Sequence, residues 1–490
     1  MPAIRLIDLR YHVVRTATRF PFRYGIAAMT AAPHLFLRAE FEVDGKRVTG
    51  FSAEGLPPKW FVKSPDTTFD QDLPDMIEVI RNAVKAASEV GEQPSFYDWW
   101  RAVYQGQDSW AVENATPPLL VHLGTSLVER AGIDALCRAL GQPFAQVLAD
   151  NGLGLRLGEI HPELGDRRPA ELIQQGQVAD STLLIRHTVG LADPLTDDEI
   201  LEADRVDDGL PHSLEACVKA YGIRYFKIKL GGLADHDCER LRRIAGILNR
   251  LVPDFRYTLD GNEQFRDFGD FWGLWEQLQA DPDLTSFLSP EHLLFVEQPL
   301  HRDVALADEV EGILACWPDA PPFIIDESDA SLDSLRRALN LGYSGTSHKN
   351  CKGVIKGIAN ACLLAHLSAT NASRSWVLSG EDLANIGPVA LLQDLTVMHS
   401  LGIRHVERNG HHYFSGLGMM PPSVQGAVLA NHGDLYREHD GYPALAIRDG
   451  VIEIGSVLTA PFGTGFVMDD VIDDWRSLNE WENAGAFRGY

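Results

Sequence analysis

Lys227 and Lys229 stand two residues apart in the extended run YFKIKLGG, so both side chains leave the same face of a strand. Two ammonium groups on an inward face need carboxylates nearby, and such a setting permits one lysine to carry a depressed pKa. Three acidic residues downstream answer that need. Asp260 in YTLDGNEQF, Glu297 in LFVEQPL and Asp326 in FIIDES each close an apolar run. Converging on one point, they would form a hard oxygen set suited to Mg²⁺, with positions left for water and substrate. Singly, each could cap a following helix or pair with an arginine; three in succession after apolar strands favour the metal. Lys349, in GTSHKNCKG, ends a further short run and would reach the same cavity from the opposite side. His348 and Lys352 beside it leave the register of that strand open, and a lone His348 reads more readily as structural than as a base.

The elements that must position these groups alternate. From about Thr125 helical segments separate short apolar runs at Tyr225–Leu230, Phe255–Asp260, Leu293–Glu297, Phe323–Glu327 and Gly345–Lys349. Strand and helix in turn make parallel β/α units, and charge gathered at the C-terminal end of each run marks the mouth of a barrel. No Gly-rich phosphate fingerprint follows a strand, which disfavours a dinucleotide-binding sheet. Ahead of the barrel, Leu35–Val43, the Asp44-Gly45 turn and Val48–Ala53 read as antiparallel strands, and Asp75–Val90 as an amphipathic helix packed on them. The expected organisation is an α+β cap over 1–125, a barrel over 126–420 and an unassigned extension over 421–490 that includes the acidic stretch Asp469–Asp474.

The chain has 490 residues, with 43 Lys plus Arg against 69 Asp plus Glu, a net charge of −26. Such acidity repels nucleic acid and anionic membranes and leaves small molecules and cations as partners. No long apolar run exists for a membrane helix, and six scattered cysteines without CxxC pairing argue against zinc or disulfides. A cytoplasmic protein is expected.

The ordered series KxK, DxN, VEQP, IDES and a lysine on the next strand closely resembles the enolase superfamily, in particular its muconate-lactonizing-type subgroup within the mandelate racemase/muconate lactonizing enzyme family. The resemblance runs from about Leu35 to Pro388 and includes GTSLVERAGIDALCRALGQPFAQVL and SWVLSGEDLANIGP. It implies an N-terminal α+β capping domain on a modified TIM barrel, (β/α)7β. It also implies Mg²⁺ on Asp260, Glu297 and Asp326, proton transfer by Lys229 and Lys349, and a homo-oligomer. By the same likeness Lys227 would polarise the substrate carboxylate, with Asn262 and Glu327 in or beside the metal shell. The seventh strand offers Glu381 and Asp382 where the mandelate-racemase-type subgroup places a histidine, which favours the lysine pair. Loops of the cap would set specificity: Phe20–Pro33, with Phe22, Arg23, Tyr24 and Met29, and Gly55–Val62. His411 and His412 would lie near the last strand.

The implied reaction abstracts the α-proton of a carboxylate substrate to give an enediolate, as in racemisation, epimerisation or cycloisomerisation. An acid-sugar-type dehydratase shares that half-reaction. A non-catalytic relative of the family is disfavoured by its retained buried lysines and carboxylates.

Overall fold

A computed structural model of the chain describes residues 1–173, 180–317, 319–470 and 475–483. Residues 471–474 of the acidic stretch and the tail 484–490 therefore lie outside the described residues. Three antiparallel strands open the chain: β1 (Ile4–Tyr24), β2 (Ala27–Val43) and β3 (Lys46–Gly55). Asp44 and Gly45 both take positive φ, 47° and 77°, as a tight hairpin between β2 and β3 requires. The segment Phe20–Pro33, expected as a loop, is instead the far end of the β1–β2 hairpin. Pairing continues to Tyr24 and Ala27 because Gly25, at φ 49°, turns the chain at once.

Helices α1 (Phe69–Glu89), α2 (Phe96–Asn114) and α3 (Pro118–Leu140) cover this sheet. A capping box starts α1, where the Thr68 N–H donates to Gln71 Oε1 at 2.7 Å. Helix α3 is buried continuously from Leu119 to Cys137, the charged Glu129, Arg130 and Asp134 included, and it packs against both β3 and α1. Two glycines allow this close approach: a Cβ on Gly50 would lie 2.1 Å from the Ala131 oxygen, and one on Gly124 would lie 2.2 Å from that of Val79. Because α3 runs unbroken through residue 125, the boundary expected there falls inside a helix.

Eight parallel strands form the second unit: β4 (Thr182–Val189), β5 (Tyr225–Lys229), β6 (Arg256–Asp260), β7 (Leu293–Glu297), β8 (Phe323–Ile325), β9 (Gly345–His348), β10 (Val377–Gly380) and β11 (His405–Arg408). Each pairs with the next, and β11 pairs with β4, so the sheet is a closed barrel. Helices connect the first seven strands to the next, whereas β11 leads into the short helix Gly410–Tyr413, then the helix Pro422–Asn431 and a hairpin of Tyr436–His439 with Tyr442–Leu445. This is the expected (β/α)7β barrel. After it, Val451–Glu453 joins the N-terminal end of β4 as an antiparallel strand. The chain then returns to the cap, where Arg476 and Ser477 pair with β1. No described helix is long and apolar enough to cross a membrane.

Candidate active site

The strand register assembles the site. Lys229 lies opposite Asp260, and Asp260 opposite Glu297, across β5, β6 and β7. Asp326 follows directly on β8, and Lys349 on β9. In a closed eight-strand barrel β5 and β9 are diametrically opposed, so Lys229 and Lys349 reach one cavity from opposite walls. Lys227, Lys229, Asn262, Asp326 and Lys349 all line it. Lys227 and the three carboxylates are at most 1 % exposed, so their charges meet each other rather than water.

Lys227 is the hub of this floor. Its Nζ donates to Glu381 Oε2 at 2.7 Å and to Glu297 Oε1 at 3.0 Å, and it lies 2.9 Å from Asp260 and 3.3 Å from Glu407. Burial disfavours its ammonium, but these four carboxylates outweigh that and hold its pKa well above the ordinary lysine value. Glu381 also accepts from Arg186, and Glu407 from Thr188 at 2.6 Å. Lys229 donates to Asp260 at 2.6 Å, while Lys349 and Lys352 both reach Asp326. Burial opposes the Lys349 ammonium as well, yet Asp326 raises its pKa. The depressed pKa that the sequence permits in the Lys227 and Lys229 pair is thus not found at Lys227.

The β9 register is settled. Ser347 donates to Asp326 from the interior face, so His348 points outward. It is bound to Asn350 Oδ1 at 3.0 Å, and a Cβ on Gly357 would touch its ring. His348 is therefore outside the cavity. Lys352 lies beneath Asp326, held by the Ser347 carbonyl at 2.7 Å, and Lys349 alone of the three lines the cavity.

Asn262, at φ 40°, places its N–H on Asp260 Oδ1 at 2.8 Å and its side chain 3.4 Å from Glu327. Tyr24, Phe22, Met29 and Trp60 form the roof. Arg23 does not belong to it. As the strand neighbour of Phe22 and Tyr24 it faces the other way, exposed, beside a separate cavity lined by Phe20, Asp193 and His212. His411 and His412 are buried in the barrel wall, also outside the lysine-lined cavity. Sequence reading missed Glu407 and Asn409, both on the cavity wall. The signal was weak, since HVER holds a single apolar residue, Val406, ahead of its charged pair.

The donor chemistry fits a hard divalent cation. Besides the carboxylates of Asp260, Glu297 and Asp326, Asn262 Oδ1 and Glu327 Oε2 are buried oxygens without hydrogen-bond partners. Burial, then the negative charge of Asp326, pushes Glu327 up to about 7, and burial with Glu381 raises Glu297. The three carboxylates do not stand within 4.8 Å of one another as a set. Lysine ammoniums stand among them, and holding an ion requires those ammoniums to give way.

No protein-family model and no curated protein matches this sequence. Solved structures do match. Muconate lactonizing enzyme from Pseudomonas fluorescens, complexed with muconolactone, is 15 % identical with a TM-score of 0.56, covering 96 % of this chain and 99 % of that one. An enolase from Bradyrhizobium, complexed with magnesium and mandelic acid, is 14 % identical with a TM-score of 0.57, covering 98 % and 99 %. N-succinyl Arg/Lys racemase from Bacillus cereus is 14 % identical with a TM-score of 0.55, covering 93 % and 98 %. The chain shares the fold of these three proteins over essentially its whole length.

Proposed function

We propose that the protein is an enolase-superfamily enzyme of the lysine-pair type, Mg²⁺-dependent, that moves the α-proton of a carboxylate substrate in a racemisation, epimerisation or cycloisomerisation. The observation that carries this reading is the placement of Lys229 and Lys349 on opposite walls of one cavity whose floor is a buried carboxylate cluster. Mg²⁺ on Asp260, Glu297 and Asp326 would offset negative charge developing on the substrate carboxylate. Engaging those carboxylates elsewhere would also release Lys229 from Asp260 and Lys349 from Asp326, and at Lys349 this removes the contact that favours the ammonium form. One lysine, neutral, then takes the proton while the other, charged, delivers one to the opposite face. Lys227, kept cationic by Glu297, Glu381 and Glu407, faces the carboxylate end. Magnesium in a protein of the same fold and the buried, unpartnered oxygens of Asn262 and Glu327 support the metal requirement.

The test follows α-proton exchange of chiral carboxylates in D₂O by ¹H NMR, with wild type, Lys229→Ala and Lys349→Ala, each checked for Mg²⁺ binding. Both variants should lose turnover by about 10² to 10⁴-fold. Each should still exchange the enantiomer that faces its remaining lysine. Exchange of both enantiomers by Lys349→Ala would remove that residue from the mechanism. Dependence of all exchange on one lysine would point to a one-base lyase.

A further inference from the structure

A second cluster of ligand-type side chains lies in the barrel wall. His187 precedes Thr188 on β4; because Thr188 faces inward to Glu407, His187 faces outward. There it meets Cys217, from the helix Leu214–Tyr221, and His412, from the short helix after β11. The ligand atoms of His187, Cys217 and His412 all lie within 4.8 Å of one another, and no other trio of His, Cys, Asp or Glu among the described residues comes so close. Each of the three is at most 2 % exposed.

The spacing is that of a coordination sphere. Cys217 Sγ is 3.6 Å from His412 Nδ1. A tetrahedral Zn²⁺, with Zn–S of about 2.3 Å and Zn–N of about 2.0 to 2.1 Å, separates a sulfur from a nitrogen ligand by about 3.6 Å. The other nitrogen of His412, Nε2, faces Asp193 Oδ2 at 3.7 Å. Asp193 is itself fixed by the Tyr413 hydroxyl at 2.6 Å and the Gly190 N–H at 2.7 Å. A carboxylate behind an imidazole is the arrangement that orients metal-ligating histidines. On the other side, His187 Nδ1 is 3.0 Å from His411 Nε2, and His411 Nδ1 is buried without a partner.

Cys217, His412 and Asp193 also stand in the order of a nucleophile relay. Full burial of Cys217 weighs against that use, because it raises the thiol pKa and shuts out a substrate.

We propose that His187, Cys217 and His412 form a Zn²⁺ site, distinct from the Mg²⁺ carboxylates, which ties the helix after β4 to the end of β11. Binding deprotonates the Cys217 thiol, and the proton passes to solvent. A thiolate with two imidazoles selects zinc over magnesium by its softness. The wide spacing of these residues in the chain explains why the cysteine pattern showed no zinc motif. The site stands independently of the proposed reaction.

The test takes the full-length protein, stripped with a chelator, and measures Zn²⁺ retention in excess Mg²⁺ and the absorption spectrum with Co²⁺ as probe. Wild type should retain one equivalent of Zn²⁺ and show a thiolate-to-Co²⁺ charge-transfer band. Cys217→Ser should lose the band and bind Zn²⁺ at least 100-fold more weakly. Asp193→Asn should weaken it about 10 to 100-fold. Asp260→Asn should keep both signals. Failure of wild type to retain Zn²⁺, or retention that survives Cys217→Ser unchanged, overturns the site and marks any zinc as adventitious. Should Cys217→Ser not fold, the wild-type Co²⁺ spectrum decides, and absence of the thiolate band refutes the proposal.

Discussion

Lys227 is paired with more charge than any other side chain in the barrel floor, and its removal separates structural from chemical roles. Lys227→Met would leave Glu297, Glu381 and Glu407 buried without their common cation, and breaking a buried pair in this way costs about 3 to 5 kcal/mol. The pH dependence has a definite sign. Burial works against the Glu407 carboxylate, but Lys227 and then Lys229 hold its pKa well below the ordinary value. A group depressed in the folded state contributes stability above its unfolded pKa, about 4.3 for a glutamate, and loses it as pH falls toward the folded value. The stability gap between wild type and Lys227→Met, measured by urea unfolding, should therefore be full at pH 7.5 and shrink below about pH 4. Equal stability of the two proteins at pH 7.5 would show that the cluster does not need its cation.

At the scale of elements, the site is roofed by two segments of the cap that are tied to barrel loops. The cavity between them holds only about 30 Å³, room for a water or two, so a substrate needs the lining side chains or the roof to shift. The loop after β3 is anchored at both ends. Arg130 of α3 donates to Glu54 and to the Ala53 carbonyl, each at 2.7 Å, which fixes the end of β3. Arg302 binds the Trp60 and Phe61 carbonyls, both at 2.9 Å, and clasps Glu263 at 2.7 and 2.8 Å. The β1–β2 hairpin is held by Arg19, which pairs with Asp208 at 2.6 Å and donates to the His412 carbonyl at 2.7 Å. Arg302→Ala should therefore raise KM about tenfold with a smaller effect on kcat, and increase amide exchange across residues 56–63. Arg23→Ala, exposed beside a different cavity, should leave both constants within about twofold.

For the whole molecule, the returning C-terminal segment closes the cap sheet. The Trp475 ring packs 4.2 Å from that of Phe36, Arg476 and Ser477 add a short strand to β1, and Arg81 pairs with Glu482 at 2.7 Å. The added strand pairs with β1 at His12 and Val13, and there it occupies backbone groups that an exposed edge would offer to another chain. Trp475→Ala should destabilise the protein by about 3 kcal/mol or more, read as a drop in thermal midpoint. Its metal affinity at the barrel mouth should be unchanged. Loss of binding at the proposed Mg²⁺ carboxylates in that variant would mean that the cap edge acts on the barrel mouth through the core that cap and barrel share.

Much of the barrel was legible in the chain because its signals are local. A strand alternates faces every residue, so Lys227 and Lys229 had to share one, and charge that closes an apolar run marks a barrel mouth without reference to anything distant. Asp260, Glu297, Asp326 and Lys349 were found in that way. What the chain left open depended on contacts between remote segments. The β9 register was fixed only where Ser347 met Asp326, which turned His348 outward, and hairpin pairing carried Arg23 away from the cavity that received Tyr24. Closure of β11 on β4 brought Glu407 to Lys227, 180 residues away in sequence, and the same closure set Cys217 against His412 across 195. Sequence spacing carries no trace of such meetings, because they are fixed by the geometry of a closed sheet and the helices around it.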